Sequence, residues 1–204
     1  MIPTQNDWNV VIVGAWNPGI FTPAWLGANL FSNPEIQIEF ALTPGVPTRI
    51  TGDGVIVVAA ADRVTLAPKE TTVEALGKAE RLAQKLLELL PHTPIRAVGV
   101  NFGYLESEPG AELLERFEDP DTNALSDLGA TLAERAVVRT VELSGAVINF
   151  TVSRKATELR FAFNYHSDAG TAEEARQALD GKVAEREAIN RRLLSALYGL
   201  DLED

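Results

Sequence analysis

The sequence predicts an α+β fold in which one antiparallel sheet carries two long helices packed on one face. Three observations predict it. Short runs of alternating apolar and polar residues, separated by turn signals, mark strands that pair with their neighbours. Two long stretches at helical spacing, residues 72–90 and 182–197, interrupt them. The order of several strands followed by a long helix also occurs twice. We read that recurrence as a duplicated strand-strand-strand-helix unit, with pseudo-repeat halves 1–104 and 105–204 inside a single domain.

Each element has its own local reason. Residues 8–15 are almost continuously apolar, which predicts a strand buried on both faces. Residues 16–34 hold Pro18, Gly19, Pro23, Gly27 and Pro34, too much punctuation for a regular element, and read as a loop. Residues 36–42 alternate, with Ile36, Ile38, Phe40 and Leu42 on one face of a half-buried strand. Residues 43–47 form a turn-rich break. Gly52, Asp53 and Gly54 between strands 49–51 and 55–59 are a hairpin signal, and Asp62 with Arg63 turns the chain into 64–66. Thr71 with Glu74 fits a capping box. The helix it opens has Val73, Leu76, Ala79, Ala83, Leu86 and Leu90 on one face, and Pro91 stops it.

Residues 97–104 form the next strand. Val98, Val100, Phe102 and Tyr104 make its apolar face; Gly99, Asn101 and Gly103 make a nearly bare one, which reads as room for a packed helix. The acidic stretch 106–127 holds short helices near 111–117 and 124–135. Three strands follow, 137–143, 146–153 and 158–166, joined by a tight turn at Ser144 and Gly145 and a looser one at 155–157. Thr171 with Glu174 marks a turn of helix before the C-terminal helix.

Composition excludes several function classes. The 204 residues carry 18 Lys and Arg against 29 Asp and Glu, a net charge of −11. That balance argues against nucleic acid or an anionic membrane as partner, because phosphate recognition needs a basic surface. With no cysteine there is no disulfide, thiolate zinc site, iron–sulfur cluster or cysteine nucleophile. Residues 1–7 lack the basic and apolar regions of a signal peptide, and the longest apolar run, 55–61, is too short to span a bilayer. The expected location is therefore cytoplasmic.

Motif chemistry is sparse. Asp119, Asp121 and Asn123 open like an EF-hand loop, but Ala124 and Ala130 stand where the glycine and the bidentate glutamate belong. The two histidines, His92 and His166, match no metal-ligand spacing, so no metal or cofactor is expected. Neither a G-x-S-x-G elbow nor a phosphate-binding glycine loop occurs. Catalytic residues are accordingly none, and the chain reads as a non-enzyme.

Two features remain. The segment 16–31 carries Trp16, Phe21, Trp25 and Phe31, large rings that are costly in water and either cover the protein's own core or meet a partner. The C-terminal strands expose a polar face on which Arg160, Asn164 and His166, with Asp168 just beyond, offer anion recognition and proton transfer. Two function readings follow. The first is a non-catalytic binding or assembly module that acts through the aromatic segment and self-associates, its interface candidates being Trp16, Phe21, Trp25 and Phe31. The alternative is a small-molecule binder or enzyme with a pocket between the sheet and that segment, its ligand candidates being Arg160, Asn164, His166 and Asp168. The partner expected is a second copy of the chain or another protein, with the acidic surface suited to a basic one.

Overall fold

Period-two alternation builds the centre of the molecule. The computed structural model describes residues 1–33, 35–40, 47–118, 120–143 and 146–202. Among them are ten strands in one antiparallel sheet and six α-helices, a mixed α+β architecture in which the sheet dominates. In chain order the elements are β1 (Ile2–Pro3), β2 (Asn9–Gly14), α1 (Pro23–Asn29), β3 (Gln37–Glu39), β4 (Arg49–Gly52), β5 (Val55–Ala59) and β6 (Arg63–Pro68). Then come α2 (Val73–Leu89), β7 (Ile95–Glu106), α3 (Ala111–Glu115), α4 (Thr122–Asp127), β8 (Arg135–Leu143), β9 (Ala146–Lys155), β10 (Glu158–Asp168), α5 (Ala172–Ala178) and α6 (Val183–Tyr198). The expected turns at 43–46 and at Ser144 and Gly145 lie outside the described residues, as do Pro34, Leu42 and Asp119.

The sheet order is β3-β4-β5-β6-β2-β7-β10-β9-β8, with β1 against β7. β2 and β7 are neighbours at the centre; β2 lies beside the last strand of the four-stranded meander β3 to β6, and β7 beside the last strand of the three-stranded meander β8 to β10. The hairpin between β4 and β5 closes at Asp53 (φ 54°) and Gly54 (φ 77°). Both central residues are left-handed, as a two-residue hairpin that follows the strand twist requires.

One face of the sheet is covered. Val10 and Ile12, Val98 to Tyr104 at every second position, and Phe150, Phe161 and Phe163 are all buried in a single apolar cluster. α2 lies across β2, β5 and β6 and touches α5 and α6; α5 lies against β7 and β10. The α2 cap is Thr72, whose side chain accepts from the Ala75 amide at 3.1 Å, one residue later than the expected Thr71 box. Leu76, Ala79, Ala83 and Leu86 then fall on one buried stripe. Each buried leucine is worth about 2 kcal/mol of transfer free energy.

Four expectations are corrected. The segment 16–34 is not structureless: Thr22 accepts from the Trp25 amide at 3.2 Å and Pro23 takes the first helical position, so α1 forms there. The helix expected over 124–135 stops at Asp127, and β8 begins at Arg135. β2 is fully buried on one face only, because Asn9, Val11 and Val13 look to the uncovered side. Of the described apolar residues expected on one side of 36–42, Ile36 is partly buried, beside Gly27 of α1, while Ile38 and Phe40 are exposed on the three-residue edge strand β3 and just after it.

Candidate functional site

Among the described residues no α-helix packs on the second face of the sheet; the turn at residues 4–7 stands on it, over Gly103. The residues of this face are the other half of each alternation, and the register sets them in files across the strands. One file runs Asn9, Asn101, Asn164, Asn149, Thr140 through β2, β7, β10, β9 and β8. These side chains bond to one another in sequence. The Thr140 hydroxyl donates to Asn149 Oδ1 at 3.1 Å, Asn149 Nδ2 to Asn164 Oδ1 at 3.3 Å, and Asn164 Nδ2 to Asn101 Oδ1 at 2.7 Å. Asn101 Nδ2 donates to Asn9 Oδ1 at 2.8 Å, and Asn9 Nδ2 ends the chain on the Asn6 carbonyl at 3.1 Å. Every amide donates in the same direction, so the bonds polarise one another.

Glycine makes the ladder fit. A Cβ on Gly99 would stand 2.7 Å from Asn164 Nδ2. One on Gly103 would stand 2.3 Å from the Asp7 Cβ and 2.5 Å from Thr4 Oγ1. The bare positions on β7 therefore admit an amide and the turn at residues 4–7, not the packed helix the sequence suggested.

Asp7, over Gly103, is the charged group that stands on the middle of this face among the described residues near the ladder; the strands' own charges lie toward its rim. The next file, Val138, Thr151, Ala162 and Gly103, is uncharged like the asparagine file. Arg160 meets Asp7 at 2.5 Å, and His166 Nε2 meets Asp168 Oδ1 at 3.1 Å. Exposed apolar side chains stand among the amides: Val138 is 67% and Val147 42% exposed.

Arg160, Asn164, His166 and Asp168 thus share one face of β10, but they do not converge. At about 3.4 Å per residue the outer two are ~27 Å apart along the strand. Of the four, His166 also borders a 360 Å³ hollow at the strand's end, with Val147, Asp180, Lys182 and Arg186. The aromatic segment lies on the opposite, helix-covered side. Trp16, Phe21 and Phe31 are buried in the core, with Trp16 beside Gly14 and Phe31 against Gly52; Trp25 is half-buried, 6.0 Å from Phe21. The 560 Å³ groove between that segment and the sheet is lined by residues such as Phe21, Leu26, Ile38, Ile50 and Val57, without any of the four β10 residues.

A second polar constellation is buried beneath α6. The Tyr165 hydroxyl stands 2.8 Å from Asn190 Oδ1 and 2.9 Å from the Arg186 carbonyl oxygen, and Asn190 Nδ2 donates to the Tyr104 hydroxyl at 3.3 Å. Arg186 bridges Glu80 of α2 at 3.1 Å and Asp180 at 3.0 Å. Burial pushes both phenols far above their ordinary range, so they stay neutral. Burial also raises the Glu80 carboxyl, with Arg186 pulling it back. Every member has a partner inside the fold, so this group locks α2 and α6 to the sheet.

Asn9, Asn101, Asn149 and Thr140 are the ladder residues the sequence reading did not name as ligand candidates. A signal exists: asparagine is depleted in strands, and four stand inside strands here. The sequence matches no known protein family, and no curated protein matches it. Among the described residues no cluster of three or more metal-ligating side chains occurs, and no helix is long and apolar enough to cross a membrane.

Proposed function

We propose that the protein is a non-catalytic binding or assembly module whose docking surface is the uncovered face of the sheet. The observation that carries this reading is the pair of uncharged files, one of them laddered by amides, at the centre of that face on a chain of net charge −11. Charge depletion at the centre with charges at the rim is the composition of a protein interface. The aromatic segment contributes to this reading as a wall of the core on the covered side of the sheet. In the same reading both long helices serve the covered side, and the twice-repeated order of strand, meander and long helix is a duplicated unit whose two central strands pair.

A photo-crosslinking side chain in place of Thr151 tests the docking surface against one in place of Lys78 on α2. Adducts at 151 and none at 78 are expected. Adducts at neither position, or only at 78, would overturn the reading.

A second reading, small-molecule binding, keeps one supporting observation: the hollow beside His166, with Lys182 and Arg186 as cationic groups near it. In that reading His166→Ala abolishes retention of a bound anion while the thermal melt is unchanged. An unaltered ligand content in the variant would remove it.

A further inference from the structure

We infer that the occupant of the uncovered face is a second copy of this chain, docked face to face about the asparagine ladder. The inference rests on the docking reading above and adds the partner.

Charge comes first. A partner held by charge needs unpaired charge to meet. On this face two ion pairs are closed within the chain, Arg160 with Asp7 and Arg49 with Glu39 at 3.3 Å, and His166 Nε2 lies against Asp168; Glu142 at the β8 edge and the facing Lys155 and Glu158 at the β9–β10 turn also stand on the charged rim. Beyond Asn9 the register carries the file on through Ala67, Ile56, Thr51 and Gln37, but Ile56 and Thr51 are buried there and Gln37 accepts from Lys69 Nζ at 3.1 Å, so the open uncharged part of the file is its Asn9 to Thr140 half. A basic partner would find little here, although the rest of the chain would attract it.

Self-complementarity comes second. A two-fold interface places the same patch on both sides, so the patch must satisfy itself. A carboxamide has two N–H donors and two acceptor sites. The ladder uses one donor on each asparagine, so both a donor and an acceptor remain at each rung. A row that offers both is complementary to its own copy. With a two-fold axis along the strands, the two ladders also run in opposite directions, and their bond dipoles oppose favourably.

Size and shape come third. Seven strands at about 4.8 Å and about 20 Å of strand from Arg160 to His166 make a patch of roughly 600 Å² in projection. The accessible area of such a pleated patch approaches the ~800 Å² per partner of a standard interface. Away from the turn at residues 4–7, which stands on Gly103, Gly99, Ala162 and Ala67 keep the patch low, so two sheets can approach to about 10 Å there, the spacing of a sandwich.

Net charge makes the inference testable by salt. Two copies of charge −11 repel at long range while the contact itself is neutral. Screening should therefore strengthen the association, the opposite of what salt does to a basic partner. Sedimentation equilibrium across concentration, at about 50 mM and about 500 mM salt, is the experiment. A monomer–dimer equilibrium that tightens severalfold in high salt is expected. Thr151→Lys and Val138→Lys should each weaken it at least tenfold with unchanged thermal melts. Both lower the net negative charge, so a dimer formed elsewhere would be unaffected or strengthened. A monomer under all conditions, a dimer that both variants leave intact, or a dimer that salt weakens would each overturn the inference. Cross-linking from position 151 separates the two levels: adducts to a chain of different mass sink the second copy and leave the docking surface standing, whereas no adduct sinks both.

Discussion

The Asn101 amide is bonded on both sides, accepting from Asn164 and donating to Asn9, at a half-buried position. Asn101→Ala removes both bonds and should cost about 1 kcal/mol in a urea melt. A double-mutant cycle with Asn164 should return a coupling of roughly 0.5–1 kcal/mol, because the two share one chain of bonds. A coupling near zero would mean that the ladder is only a row of neighbours. Gly103→Ala pushes a methyl group into Asp7 and Thr4 and should destabilise by about 1–3 kcal/mol, as overpacking does. The identity of these residues was legible in the sequence, and so was the parity of Asn149, Asn164 and Asn101 within their strands. Their meeting was not. It depends on β7 lying between β2 and β10, a pairing of segments 92 and 63 residues apart that no local turn signal encodes.

At the scale of elements, caps and periodicity carried most of the information. The Gly52, Asp53, Gly54 hairpin and the α2 stripe follow from turn chemistry and spacing, which act within a few residues. α1 is hidden by the five punctuating residues of segment 16–34, two of them inside the helix, although Thr22 before Pro23 is a sound helix start. Thr72→Ala should lower stability by about 1 kcal/mol, because the Ala75 amide then loses its partner. The contact between the long helices makes a pH prediction. Glu80 is almost wholly buried against Arg186, and its folded pKa lies above its ordinary value of 4.5. The folded chain then binds its proton more tightly than the unfolded chain. Its contribution is fully present below pH 4.5 and is lost as pH rises through the raised folded value. Glu80→Gln should remove that slope, so the difference between wild type and variant shrinks in the wild type's disfavour as pH increases. A difference that does not change with pH would show that Glu80 titrates normally.

At the scale of the whole molecule, a sheet covered on one side and open on the other explains where function belongs. Helices, aromatic segment and tyrosine network all serve the covered side. What remains is a pleated surface whose two central files carry no charged residue. The chain's composition gives a net charge of −11 but not that the central files of one face carry none of it, since net charge says nothing of placement. Hydroxyl-radical footprinting across a concentration series is the most direct measurement of the central claim. Val138 and Val147 report on the open face; Phe40, 73% exposed, and Leu128, 82% exposed, report from elsewhere. The account expects Val138 and Val147 to be protected as concentration rises while Phe40 and Leu128 react unchanged. Equal oxidation of Val138 and Val147 at every concentration, or protection confined to Phe40, would contradict it.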